Sequence, residues 1–231
     1  MQSDEIHRMT EIEEHHWWYR ERRSLLAREL RRLGTPGRAL DIGAAGGGNT
    51  RVLVEHGWDT LASDYSETAV GIAGRRGVPV IRADARDLPL ASGTFDLVTA
   101  FEILEHIDDD ARAAAEIFRV LRPGGVALLT VPCDMNLWSA HDVAVGHVRR
   151  YSRQELATVV EAAGFTIDRL WSWNVLLRPA VAIHRRRSTG SDIVETSRLL
   201  NLVLNAVIVA ERYLPVSGWK GVSLILRAHR R

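Results

Sequence analysis

The stretch Arg38-Ala-Leu-Asp-Ile-Gly-Ala-Ala-Gly-Gly-Gly-Asn-Thr50 runs from a short apolar segment, through one carboxylate, into a cluster of glycines. It predicts a buried strand, a tight turn and the start of a helix in succession. Glycines let a ligand approach the main chain closely, and the free N–H groups at a helix start attract polar or anionic groups. Alone, this pattern is weak evidence of binding, because a strand-to-helix turn without a ligand looks the same.

A second carboxylate, Asp64, strengthens the case for a ligand. It ends the next predicted strand about 20 residues beyond the first glycine, where a carboxylate can accept hydrogen bonds from both hydroxyls of a ribose. As an isolated residue, Asp64 would more often be a helix N-cap or a turn residue. Together with the glycine turn, it predicts a nucleoside-containing cofactor in a Rossmann-like domain.

The residues around the turn discriminate between cofactors. A dinucleotide fingerprint has a glycine where Ala45 stands, and Asp41 would lie beside a diphosphate, which repels negative charge. A cofactor with an ammonium and a sulfonium group suits Asp41 better. The turn therefore favours S-adenosylmethionine over NAD. A NAD-dependent oxidoreductase and a non-catalytic S-adenosylmethionine-binding protein are the alternatives.

The composition fits a globular protein and limits its partners. The 231 residues are 46% hydrophobic and 26% charged, and 30 Lys and Arg against 29 Asp and Glu give no overall field for nucleic acid or anionic membranes. Cys133 is the single cysteine, which excludes an internal disulfide and a thiolate zinc cluster and predicts a cytoplasmic location. The first ten residues do not resemble a signal peptide, and the longest apolar run, 199–210, is too short for a transmembrane segment.

Strand and helix patterns alternate along the rest of the chain, which predicts a parallel sheet with helices on both faces. Ligands of such sheets bind at the carboxyl ends of the strands. Strands are predicted at 38–42, 60–63, 78–81, 95–101, 125–131, 165–171 and 222–228, and helices at 11–33, 50–56, 66–76, 109–121, 153–163, 176–186 and 193–214. A polar loop rich in His is predicted over 132–152.

Several segments between about Ala39 and Phe165 follow one another in a family-specific order. They are Leu40-Asp-Ile-Gly-Ala-Ala-Gly-Gly47, Asp84-Ala-Arg-Asp-Leu-Pro-Leu90, Phe95-Asp-Leu-Val98, Ile103-Leu-Glu-His-Ile107, and Arg119-Val-Leu-Arg-Pro-Gly-Gly125 followed by Ala127-Leu-Leu-Thr-Val-Pro132. Jointly they resemble the class I S-adenosylmethionine-dependent methyltransferases of the type-11 group. His16-Trp-Trp-Tyr-Arg20, Ser139-Ala-His-Asp142 and Gly146-His-Val-Arg-Arg-Tyr151 resemble a bacterial subgroup of it.

The resemblance implies an α/β fold, with a Rossmann-like, doubly wound, mostly parallel seven-stranded sheet whose last strand is reversed. It implies one methyltransferase domain with an N-terminal helical cap at 1–35, a cofactor-binding core at 36–173, a helical insertion or lid at 174–218 and the last strand at 219–231. It also implies S-adenosylmethionine as cofactor and a monomer or homodimer. The chain lacks a basic stripe and a motif of base-flipping enzymes, so nucleic acid is not expected as the acceptor.

By position, the resemblance also assigns cofactor-binding residues. Asp41, Gly43, Ala44 and Gly46 would surround the methionine part, Asp64 the ribose, Tyr65, Asp84 and Ala85 the adenine, and Phe101 the cofactor more generally. His106 would contact cofactor or acceptor, or cap the next helix. Glu102, Glu105 and His106 also resemble the metal-binding E-x-x-E-H of ubiquinone-biosynthesis O-methyltransferases, but a salt-bridged helix start is the commoner explanation, so no metal is assigned.

Methyl transfer needs alignment of acceptor, carbon and sulfur, and a base only if the acceptor arrives protonated. Candidates for that base are His141, Asp142, His147 and Tyr151 in the loop after the fifth strand, with His15 and His16 at the entrance. The structural alternatives are a turn or helix-cap pair for His141 and Asp142, and one anchoring ring for Tyr151. The acceptor is expected to be a small molecule, natural product or short peptide, methylated on O or N.

Two segments outside the core each allow more than one interpretation. His15-His-Trp-Trp-Tyr19 is either a lid, which would bring Tyr19 to the cofactor, or a hydrophobic staple that holds the N-terminal helix. The apolar region 171–218 either covers an apolar acceptor, forms a dimer contact or enlarges the core.

Overall fold

The computed structural model describes residues 3–187, 189–191 and 196–231. Within them a single sheet contains seven strands: β1 (Arg38–Ile42), β2 (Asp59–Asp64), β3 (Val80–Arg82), β4 (Phe95–Phe101), β5 (Leu121–Pro132), β6 (Phe165–Trp173) and β7 (Ser223–Arg230). Their order across the sheet is β3-β2-β1-β4-β5-β7-β6.

Strands β1 to β5 pair in parallel, whereas β7 lies between β5 and β6 and runs antiparallel to both. The predicted mostly parallel sheet with a reversed last strand is therefore confirmed. The chain starts in the middle at β1, moves outward to β3 and returns to β4. This reversal of direction opens a crevice beyond the carboxyl ends of β1 and β4, where such sheets bind ligands.

Helices cover both faces of the sheet. They are α1 (Ser3–Ile12), α2 (Trp17–Leu30), α3 (Gly48–Glu55), α4 (Glu67–Arg75), α5 (Asp110–Val120), α6 (Ala140–Val145), α7 (Arg153–Ala162), α8 (Arg178–Arg185) and α9 (Arg198–Glu211). Of the helices that the described residues form, none is long and apolar enough to cross a membrane.

The prediction of one helix over 11–33 is wrong, because the chain turns between α1 and α2. His16 adopts an extended backbone conformation (φ −70°, ψ 130°) and its Nδ1 accepts a hydrogen bond from the Trp18 N–H, which starts α2 afresh. The predicted loop over 132–152 contains α6, which begins in a capping box of Ser139 and Asp142. The predicted helix over 193–214 starts outside the described residues, which contain its part from Arg198 onward.

Two hydrophobic clusters sandwich the sheet. On one face, Ile117 of α5 and Val160 of α7 pack with Phe95 of β4. On the other, Leu26 of α2 and Leu53 of α3 join a cluster that also includes residues of α9. Helices on both faces bury the strands and hold their carboxyl ends in a fixed arrangement, so the crevice has rigid walls.

Candidate active site

A cavity of about 1140 Å³ lies at the carboxyl ends of β1, β2 and β4. The glycine turn and the strand ends form one wall, α1 and α2 form a second, and α6, α8 and α9 contribute to the rest. Pockets for one small ligand usually measure about 300 to 1000 Å³. The cavity therefore has room for a cofactor together with an acceptor.

The glycine turn borders this cavity, and two of its residues have left-handed backbone conformations. Gly43 and Ala45 both have positive φ, 72° and 48°. A β-carbon on Gly43 would lie 1.8 Å from Cδ1 of Ile103, so a side chain has no room there. Ala45 holds its left-handed conformation while its N–H donates to Oδ2 of Asp64 (2.9 Å). This hydrogen bond ties the turn to the end of β2.

Asp64 is positioned to accept further hydrogen bonds. Its Oδ1 accepts from the Ser66 N–H (2.8 Å) and its Oδ2 from Ala45, yet each carboxylate oxygen retains a second lone pair. Burial raises the pKa of Asp64 above its ordinary value. The carboxylate lines the cavity, as its predicted contact with a ribose requires.

Most residues predicted to bind the cofactor lie around this one cavity. Those that line it are Tyr19, Gly43, Ala44, Asp64, Tyr65, Asp84, Ala85, Phe101 and His106. Asp84 is held by Arg86, whose Nε and Nη2 donate to its two oxygens (3.0 and 2.6 Å), and this side-chain pairing lowers the pKa of Asp84. Their roles toward a cofactor stay predictions, which their common position supports.

Asp41 and Gly46, also expected at the cofactor, do not line the cavity. Asp41 is fully buried beneath the turn, where Thr50 and Thr99 each donate a hydroxyl to it (2.7 Å). Burial raises the pKa of Asp41. The carbonyl of Gly46 accepts from Nη1 of Arg76 (2.9 Å), on the side covered by α1. Both residues therefore support the turn from outside the cavity.

The N-terminal segment both packs on the core and lines the cavity. The Trp17 N–H donates to Oδ1 of Asn201 in α9 (2.7 Å), and the Trp18 ring lies 4.5 Å from that of Trp173. Both indoles and Tyr19 also border the cavity. The staple and lid interpretations are thus compatible, because the contacts that hold the segment also place its rings over the crevice.

Two charged residues that line the cavity, Arg22 and Glu102, were not predicted from the sequence to bind the cofactor. Arg22 lines the cavity, its guanidinium lies 5.2 Å from the centre of the Tyr19 ring, and its buried Nε has no hydrogen-bond partner among the described residues. Glu102 follows β4 with a positive φ of 58°, and its buried Oε1 is likewise unpartnered within the described part of the chain. Arg22 sits in a run of helical arginines, so nothing in its local sequence distinguished it.

A buried ion-pair network positions His147 on the acceptor side. Its Nδ1 lies 2.8 Å from Oδ1 of Asp142, which also accepts from Nε of Arg150 (2.8 Å). Burial alone would raise the pKa of Asp142, but the hydrogen bond to His147 and the charge of Arg150 hold it below its ordinary value. Because a carboxylate only accepts, Nδ1 carries a proton in this contact, and in a neutral imidazole Nε2 is then the nitrogen with the free lone pair. His141 and His147 both line the cavity, as predicted for a candidate base.

Glu105 and His106 adjoin this network. Glu105 is fully buried, and its Oε1 lies 3.8 Å from Nε2 of His147. Burial raises the pKa of Glu105 well above its ordinary value, and the negative charge of Glu102 adds to this effect. Neither oxygen of Glu105 has a hydrogen-bond partner among the described residues, so its contact with His147 is at ion-pair distance only. Burial also lowers the pKa of His106 to about 4.

Candidate metal-ligand atoms of Glu105, His106 and His147 lie within 4.8 Å of one another. This set differs from the one the sequence resemblance offered, because His147 takes the place of Glu102. No metal is assigned to these residues.

Tyr151, predicted as a catalytic candidate, does not line the cavity. Its ring is 2% exposed, and its hydroxyl donates to Oδ2 of Asp110 (2.6 Å). Burial and this hydrogen bond raise the pKa of Tyr151. Its distance from the cavity makes it an anchoring ring, which was the structural alternative.

The residues present fit S-adenosylmethionine. Unpartnered charged atoms of opposite sign, Nε of Arg22 and Oε1 of Glu102, suit the carboxylate and the ammonium of its methionine part. Asp64 suits the ribose hydroxyls, and the side chains of Tyr65 and Ala85 suit an adenine.

A family model described as "Methyltransferase domain" matches residues 15–170. A probable S-adenosylmethionine-dependent methyltransferase of Mycolicibacterium smegmatis is 29% identical over 162 residues, which are 68% of this chain and 62% of that protein. A demethylmenaquinone methyltransferase of Corynebacterium urealyticum is 39% identical over 100 residues, 42% of this chain and 44% of that protein. The chain thus spans less than two thirds of the length of these relatives.

Solved structures share the fold. A crystal structure from Thermotoga maritima, described as an S-adenosylmethionine-dependent methyltransferase and possible histamine N-methyltransferase, has a TM-score of 0.65 at 19% identity and covers 99% of this chain and 95% of its own. At this identity the likeness concerns the fold alone. Together with the family model and the relatives, it shows that the chain belongs to the S-adenosylmethionine-dependent methyltransferases, with S-adenosylmethionine as the cofactor.

Proposed function

We propose that the protein transfers a methyl group to an O or N atom of a small molecule, a natural product or a short peptide by in-line displacement. The observation that carries this proposal is the oriented His147–Asp142 pair in the same cavity as the glycine turn and Asp64. When bound, S-adenosylmethionine supplies an electrophilic methyl group on a sulfonium. The protein then has to align the acceptor, remove its proton and exclude water.

His147 is the proposed base. Asp142 fixes its tautomer, so that the unprotonated Nε2 can take a proton from a hydroxyl or an ammonium. Asp142 in turn is held by Arg150, which is fully buried, and by the Ser139 N–H (3.0 Å). This fixed chain of contacts makes His147 the first candidate, and His141 is the second.

Arg22 and Glu102 are the proposed partners of the methionine part of the cofactor. Arg22 can donate two parallel hydrogen bonds to a carboxylate, and Glu102 can accept from an ammonium. Both residues line the cavity, and the atoms named above are buried without a hydrogen-bond partner among the described residues. We therefore assign contact with the methionine part of the cofactor to Arg22 and Glu102 and not to Asp41.

We infer the same division of the chain as above, with a cap at 1–35, a core at 36–173, a helical insertion at 174–218 and the last strand at 219–231. In support, α1, α2, α8 and α9 all border the cavity outside the sheet. A cytoplasmic monomer or homodimer remains our expectation. The family assignment leaves no place for NAD, and a non-catalytic S-adenosylmethionine-binding protein is the remaining alternative.

The test is a labelled-methyl transfer screen over host extract fractions, followed by mass spectrometry of the labelled compound. With an acceptor in hand, His147→Asn should lower kcat about a hundredfold or more and leave the Kd for S-adenosylhomocysteine unchanged. Asparagine can still donate to Asp142, so the buried network keeps its partner. His141→Asn is the matched control, and unchanged turnover in the His147 variant would show that His147 is not the base. Binding without labelling of any fraction would support the non-catalytic alternative.

A further inference from the structure

The outer face of α9 consists of exposed apolar side chains. Leu199, Leu202 and Val203 are 73%, 65% and 50% exposed, and Ala206 and Ala210 continue the same face at helical spacing. The described residues contain 13 exposed large hydrophobic side chains, and eight of them lie between Ile183 and Trp219. This concentration is unusual for a surface that faces only water.

The side chains on the inner face of the same helix pack in the hydrophobic core. Leu204, Val207 and Ile208 pack in the hydrophobic cluster beneath it. Glu211, also on this face, accepts from the N–H groups of Val175 and Leu176 (2.7 and 2.9 Å). The outer leucines are therefore not needed to bury α9 and remain available for a partner.

Positively charged residues flank the apolar face along the chain. The segment 174–220 contains seven Lys and Arg but only three Asp and Glu, so it carries +4 while the rest of the chain carries −3. Three of these cations, Arg178, Arg185 and Arg212, form ion pairs with acids outside the segment. Arg186 and Arg187 after α8 and Arg198 at the start of α9 are exposed. Glu211, the acidic residue of the segment within the described part of the chain, is buried. The net charge of +1 conceals this local asymmetry.

We propose that the outer face of α9, with the arginines beside it, docks on an anionic membrane surface. Apolar side chains flanked by arginines match the boundary between acyl chains and anionic headgroups. Tyr213 and Trp219 follow α9 and are 82% and 66% exposed, and such aromatic rings favour the same boundary. A second copy of the chain is the weaker partner, because it would bring another set of arginines to a segment whose described residues include no exposed acid to pair with them.

The cavity opens toward this docking face. Leu200 of α9, its N-cap residue Ser197 and His184 of α8 are exposed and also line the cavity. A docked molecule would therefore present the cavity mouth to the membrane, where an acceptor with an apolar tail could enter. This corollary about the acceptor rests on the proposed function, whereas the docking itself does not.

Flotation with vesicles tests the proposal on the full chain. Vesicles of phosphatidylcholine with about a third phosphatidylglycerol should carry the wild type, and Leu202→Glu should lower the partition coefficient at least about tenfold. Val54→Glu is the matched control, because Val54 is a 53% exposed side chain on α3 and should not affect binding. The double variant Arg186→Gln, Arg187→Gln should bind the anionic vesicles more weakly, and added salt should weaken its binding less than it weakens that of the wild type.

Calorimetry with S-adenosylhomocysteine, run in parallel, shows that each variant is folded and keeps the cofactor site. Absence of vesicle binding by a wild type that binds this ligand overturns the docking proposal and leaves the proposed function intact. A dimer in sedimentation velocity that Leu202→Glu dissociates, without vesicle binding, would identify a second copy as the partner and would also overturn it. Equal vesicle binding by the wild type and Leu202→Glu would assign the contact to another surface.

Discussion

Replacing Arg22 with alanine should weaken binding of S-adenosylhomocysteine because the cavity then loses its proposed carboxylate partner. The guanidinium lines the cavity and its Nε is buried without a partner among the described residues, so the free protein gives up little hydrogen bonding when it binds. A hydrogen bond to a charged group contributes about 1.5 to 3 kcal/mol, which corresponds to a change in Kd of roughly 10- to 150-fold.

Isothermal calorimetry measures this loss, and a second ligand locates it. 5′-Methylthioadenosine has the adenosine but lacks the amino-acid carboxylate, so Arg22→Ala should change its Kd by less than about threefold. Arg20→Ala is the matched control, since Arg20 is an exposed arginine of the same helix. The melting temperature of each variant measures how much stability is lost with the contact between Arg22 and the Tyr19 ring, so that this loss can be separated from the loss of ligand binding.

An equal loss of affinity for both ligands would refute the reasoning, because it would show that Arg22 acts through the shape of the cavity. An unchanged Kd for S-adenosylhomocysteine would refute it too. Arg22→Lys separates charge from geometry: lysine keeps the charge but cannot donate two parallel hydrogen bonds, so it should restore part of the affinity.

Three further variants test the turn and the acceptor side. Ala45→Gly should raise the free energy of unfolding by about 0.5 to 1 kcal/mol in denaturant titrations, because glycine adopts a φ of 48° without strain; a loss of stability would contradict this. Gly43→Ala should lower it by about 2 to 4 kcal/mol through a clash with Ile103, and Ile103→Ala in the same chain should restore part of the loss. Burial lowers the pKa of His106 from 6.5 to about 4, so the unfolded chain binds an extra proton between these values and the wild type should lose stability as the pH falls. His106→Asn, which can still donate to the Gly146 carbonyl, should reduce that loss by about 3 kcal/mol at pH 4 in melting curves, and an identical pH dependence would exclude His106 as its source.

The sequence alone determined the chain order of the seven strands, most of the helices between them and the class of cofactor. These properties depend on signals between near neighbours: the periodicity of β1 and α5, and the glycines and the carboxylate at the strand ends. Gly43, Asp64 and Asp84 follow strands of a parallel sheet, whose carboxyl ends meet at one edge whatever the side-chain details. Their common position could therefore be predicted without any knowledge of long-range contacts.

The tertiary structure decided which polar residues reach the cavity. Asp41 and Tyr151 looked equivalent to Asp64 and His147 in sequence, but Thr99 and Asp110, 58 and 41 residues away in the chain, hold them outside the cavity. Arg22 reaches the cavity because α2 packs against α3 and α9. Contacts between distant segments set the burial of a charged group, and burial decides whether that group supports the fold or meets a ligand.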